Sequence, residues 1–162
     1  MMLSRRAGRA WEDNRIMSIK TIVCGVTGSK HAQAAALEAA ALAKKEGAQL
    51  VYVYVVDSHF FKGGMAVEVS SAAFDEALSR IGQSVLDAAE QLALSVGVTP
   101  KKMLKRGEVL KGLQETVTEE KADLLMLGHE KRTFFEKAFF KGDVEDHIQE
   151  LKDKTGVSVK IV

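Results

Sequence analysis

Apolar residues fall along this chain in two alternating kinds of run. The first kind is short and nearly continuous. It covers Ile19 to Val26, Leu50 to Val56 without a break, Ala122 to Leu127, and Val157 to Val162. Runs of this length, rich in β-branched and aromatic residues, predict strands buried on both faces, as in a parallel sheet. The second kind recurs every three or four positions. Lys30 to Glu46 carries Ala35, Ala36, Ala39, Ala40 and Ala43. The stretch after Ser70 and Ser71 carries Phe74, Leu78, Ile81, Val85, Ala88, Leu92 and Val96. Leu110 to Glu120 carries Leu110, Leu113 and Val117. That spacing predicts helices with one apolar face.

Punctuation agrees with the pattern. Thr27-Gly28-Ser29 is a turn with Ser29 as N-cap, and Gly47 follows the first helix as its C′ glycine. Gly97 stops the second helix. Thr99 to Arg106 holds the only proline, Pro100, and four cationic residues, which predicts a polar edge strand. Asp143 precedes a last helix as N-cap, with Glu145 and Asp146 in its first turn and Lys152 and Lys154 in its last. Both ends match the helix dipole. Phe134, Phe135, Phe139 and Phe140 are spaced as one face of a short helix and read as core packing. The resulting order, β-α-β-α-β-α-β-α-β, predicts an α/β fold with a doubly wound parallel sheet, helices on both faces and right-handed crossovers.

Composition changes little in this picture. The chain has 162 residues, a single-domain length, and a net charge of +1, which points to neither nucleic acid nor an anionic membrane. No apolar run reaches membrane-spanning length. The lone cysteine, Cys24, sits inside a predicted core strand and reads as packing; with no partner for a disulfide, a reducing, cytoplasmic setting is expected. Residues 1 to 16 stand apart: Arg5, Arg6, Arg9 and Arg15 against Glu12 and Asp13, ahead of Met17. They read as a disordered tail or an upstream start taken too early, and the domain as 17–162. The four histidines, His31, His59, His129 and His147, show no metal-binding spacing.

Ligands of such sheets bind beyond the carboxyl ends of the strands, where strand order reverses. Gly25 to Ser29, Val55 to Ser58 and Gly128 to Val144 converge there. The segments Ile22-Val23-Cys24-Gly25-Val26-Thr27-Gly28-Ser29, Val55-Val56-Asp57 and Ala122-Asp123-Leu124-Leu125-Met126-Leu127-Gly128 resemble those of universal stress proteins. The resemblance runs from about Ser18 to Val162. It implies a five-stranded sheet of order 3-2-1-4-5 and a homodimer paired through the final strand, Val157 to Val162, an apolar edge that needs cover.

The resemblance also implies a site. Members of that family that bind ATP carry G-x2-G-x9-G-[ST] after the fourth strand, where backbone N–H groups reach the phosphates. Here Gly128 keeps the first glycine, Lys131 replaces the second, Gly142 comes one residue late, and Asp143 replaces the hydroxyl residue. Thr27 stands where the family has an acidic residue. The residues placed at the pocket are Gly25, Thr27, Val55, Leu127, Gly128, Lys131, Gly142, Asp143 and Val144. The expectation is a stress-response or regulatory binding domain with a degenerate nucleotide pocket, no catalytic residue, no metal and no tightly held cofactor. It would act on an unidentified protein or small molecule through the pocket face and residues 57–68. The alternative is an ATP-binding member, weakly hydrolysing, in which the altered loop still holds ATP or another adenine nucleotide. A third reading, an unrelated flavodoxin-like enzyme using His129 or Glu130, lacks any supporting motif.

Overall fold

The computed structural model describes residues 18–56, 71–128 and 144–162. Nine elements alternate along them: β1 (Thr21–Gly25), α1 (Lys30–Glu46), β2 (Gln49–Val56), α2 (Ser71–Ser95), β3 (Lys101–Arg106), α3 (Val109–Glu119), β4 (Leu124–Leu127), α4 (Val144–Thr155) and β5 (Ser158–Ile161). The five strands form one sheet in the order β3-β2-β1-β4-β5, and every pairing is parallel.

Strand alternation divides the core in two. Ile22, Cys24, Leu50, Tyr52, Leu124 and Met126 face α1 and α2. Val23, Val51, Val53 and Leu125 face the other side, with Leu113 and Val117 of α3 and Leu151 of α4. The alanine face of α1 lies directly on the sheet, with Ala35, Ala39 and Ala40 fully enclosed. Small side chains there let the helix approach until Tyr52, buried beneath it, donates its hydroxyl to the Ala36 carbonyl at 2.6 Å. A phenol at that depth needs such a partner.

The helix boundaries follow the predicted punctuation. Ser29 Oγ accepts the Ala32 N–H at 3.1 Å, and Gly47 closes α1 in the left-handed region at φ 64°. Gly97 (φ 85°) and Gly156 (φ 70°) follow α2 and α4. The fourth and fifth strands are shorter than the apolar runs suggest. Ala122 and Asp123 precede β4, and the Asp123 Oδ2 accepts the backbone N–H groups of Lys20 (2.8 Å) and Thr21 (3.0 Å). Val157 precedes β5 and is buried in the core, while Val162 follows it and still donates its N–H to the Leu127 carbonyl at 2.9 Å.

The polar strand β3 is indeed an edge. Lys101 pairs with Glu120 (2.6 Å), Lys105 with Glu119 (2.7 Å), and Lys102 with both Asp87 (2.9 Å) and Glu90 (3.1 Å) of α2. The helix α2 rests on this edge through Gly82, where a Cβ would fall 2.6 Å from Tyr54 and 2.7 Å from Leu104.

Candidate functional site

The strands β1 and β4 are neighbours whose following helices lie on opposite faces, which makes their carboxyl ends the switch point of the sheet. Gly25 ends β1, and a Cβ there would fall 2.8 Å from Leu127 and 3.3 Å from Leu113. Leu127 ends β4 and is half-buried. Gly128 follows it against the first turn of α1: a Cβ would meet Ala32 N and the His31 carbonyl carbon at 2.7 Å. The glycine that opens the phosphate-loop pattern is thus required by packing alone, because any side chain would push β4 away from α1.

The other lip is the β1–α1 turn. Thr27 is exposed, and its Oγ1 donates to Ser29 Oγ at 3.3 Å. Gly28 has φ 87° and sits on Val85 of α2, whose Cγ2 would be 3.2 Å from an added Cβ. Gln33 Nε2 donates back to the Gly28 carbonyl at 3.3 Å. The turn is therefore braced by Val85 beneath Gly28 and by Gln33 on its carbonyl. A hydroxyl at Thr27 can donate to or accept from a ligand, but it brings no charge.

The structure brings Gly25, Thr27, Leu127 and Gly128 together at this end of the sheet. Val55 lies one strand away, with its side chain against α3: a Cβ on Gly112 would fall 2.8 Å from it. Lys131, Gly142 and Asp143 lie outside the described residues, as do the four phenylalanines, His129, Glu130 and the 57–68 loop. Val144 is the first residue of α4. Ser29 caps α1 as the sequence predicts; sequence reasoning missed Val85 as a support of the turn, because helical periodicity marked it only as core.

Cys24 is fully enclosed, and burial raises its thiol pKa from 9.0 to about 12. The thiolate needed for nucleophilic or redox chemistry is not formed there. A separate cavity of about 260 Å³ lies at the β3–α3 turn, lined by Arg106, Gly107, Glu108, Lys111, Gly112 and Glu115. Its two cations and two carboxylates balance. Among the described residues, no three His, Cys, Asp or Glu side chains gather as a metal would require, and no helix is long and apolar enough to cross a membrane.

The same arrangement recurs in solved proteins. A universal stress protein family member from Burkholderia pseudomallei superposes with a TM-score of 0.67 at 23% identity, over 89% of this chain and 96% of that one. A universal stress protein in complex with cAMP gives 0.62 at 21% identity, over 90% and 97%. One from Archaeoglobus fulgidus in complex with dAMP gives 0.58 at 15%, over 88% and 96%. No curated protein matches the chain. At these identities the superpositions speak for the fold. Membership rests on the sequence model described as "Universal stress protein family", which matches residues 18–150. With sheet order, switch-point glycines and sequence model in agreement, the chain belongs to the universal stress protein family.

Proposed function

We propose that this chain is a non-catalytic, regulatory binding domain of its family, cytoplasmic and homodimeric, whose pocket does not hold ATP tightly. The observation that carries the reading is the pair of charged residues in the phosphate-loop pattern: Lys131 in place of a glycine and Asp143 in place of a hydroxyl residue. Asp143 immediately precedes Val144, where α4 begins. The sequence reads Asp143 as the N-cap of that helix, and a carboxylate that caps a helix takes the free N–H groups a phosphate would need. A carboxylate and a phosphate about 4 Å apart oppose each other by up to roughly 4 kcal/mol at an effective dielectric near 20. The uncharged Thr27 adds nothing to offset this.

The homodimer is supported by the two edges of the sheet. Every cation of β3 except Arg106 is tied to a carboxylate, whereas at β5 no described strand lies beyond the edge and Ile161 is 37% exposed. A second reading is supported by the relatives solved with cAMP and dAMP: an adenine nucleotide occupies the switch point despite the altered loop.

Titration calorimetry with MgATP, cAMP and AMP separates the two. The proposal expects no ATP binding below millimolar concentration. It also expects gain of binding when Asp143→Ser, Lys131→Gly and deletion of Lys141 are combined. A micromolar dissociation constant for MgATP in the parent chain would overturn it in favour of the second reading.

A further inference from the structure

We propose that Arg106 and Asp75 form a latch that clasps the first turns of α2 onto the carboxyl end of β3. Asp75 Oδ1 is buried and has no hydrogen-bond partner. A carboxylate oxygen removed from water without a donor is unfavourable, so the position calls for one. Arg106 ends β3, is exposed, and has no ion pair among the described residues. Side chains alternate along a strand, so Arg106 shares the face of Leu104, which packs on α2 at Gly82.

Gly82 fixes the register of helix on strand. Asp75 lies two turns before it, about 10 Å along the helix, and on the same face. Arg106 lies two residues beyond Leu104, about 7 Å along the strand. The axial gap is small against the length of an arginine side chain. The opposite side of Gly82 already carries the matching device. Lys102, two residues before Leu104, reaches Asp87 and Glu90 one to two turns after Gly82. Lower latch closed, upper latch open: below Gly82, α2 has Leu86, Ala89 and Ala93 buried, and above it no described residue from 72 to 81 is. Glu76, the adjacent carboxylate on α2, is held by Arg80 at 2.6 Å, so on that helix turn Asp75 is the open acceptor. Closing the latch orders the part of α2 that projects past the ligand-binding end of the sheet.

Hydrogen exchange of the amides of residues 72–81 tests this in the full chain, with residues 84–93 as the internal reference. Arg106→Gln is expected to speed exchange in 72–81 about fivefold, the scale of one partly exposed ion pair. Arg106→Lys is expected to retain most of the protection. Asp75→Asn combined with Arg106→Gln is expected to go no further than either alone. Because Arg106 is exposed, its variants fold, and they decide the matter if Asp75→Asn does not. Unchanged exchange in Arg106→Gln, or effects of the two substitutions that multiply, would overturn the latch.

Discussion

Asp123 shows how one side chain can hold two strands in place. Its carboxylate accepts two backbone N–H groups at the start of β1, while its own N–H donates to the Thr21 carbonyl at 2.9 Å. Hydrogen bonds to an ionised acceptor rank among the stronger ones. Asp123→Ala is expected to destabilise the fold by about 1–3 kcal/mol, read as a lower denaturant midpoint at unchanged slope. Cys24 makes the opposite kind of statement. Its pKa is raised on folding, so the unfolded chain releases this proton first, and the stability it contributes is complete below pH 9.0 and lost as pH rises toward about 12. Tyr52 acts in the same direction from higher pH, its pKa raised by burial and then by Cys24. Between these pH values the parent chain should lose up to roughly 1.4 kcal/mol per pH unit from the thiol. In Cys24→Ala that part of the slope should vanish in denaturation curves taken across the range. A slope identical to the parent's would mean the thiol is not held protonated.

At the scale of elements, the placement of α1 decides the mouth of the sheet. Ser29 caps it, and Gly128 lies against its first turn. Ser29→Ala should cost about 1 kcal/mol through the lost cap. Gly128→Ala should cost more, about 1–3 kcal/mol, because the obstacle is backbone and cannot swing aside. Thermal unfolding of the two variants ranks them, and a Gly128→Ala protein as stable as the parent would contradict the packing described here. The helix α2 is placed differently, by a glycine under which Tyr54 and Leu104 fit and by the Lys102 bridge. Hydrogen bonds to Asp87 and then Glu90 raise the Lys102 pKa. Its contribution is therefore present at neutral pH and is lost only as the lysine deprotonates in strong alkali.

For the whole molecule, the two edges of the sheet set how it can assemble. The β3 edge carries Lys101, Lys102, Lys105 and Arg106, a composition that discourages strand addition. If β5 pairs with a second copy as proposed, Ile161→Lys should shift the protein to monomer in sedimentation or light scattering while leaving its unfolding midpoint nearly unchanged. Removing 157–162 is a blunter experiment, because Val157 is part of the core and its loss alone would loosen β5. A dimer that survives Ile161→Lys would place the interface elsewhere.

Period and punctuation alone determined the order of elements, their parallel pairing and most helix ends: short β-branched apolar runs between turn residues alternate with helical spacing, and Ser29, Gly47 and Gly97 act within a few residues of themselves. What the tertiary structure decided was everything that depends on residues meeting from distant parts of the chain. Asp123 reads locally as one more strand residue, yet it serves β1 a hundred positions earlier. Gly128 reads as a phosphate glycine, yet the backbone of α1 requires it. Val55 reads as part of the mouth, yet its side chain lies against α3. Asp75 and Arg106 carry no signal in sequence, because an orphaned acceptor becomes visible only once burial has removed its water. Local propensity acts over a turn or a strand, whereas sites arise from long-range packing, and only folding brings those groups together.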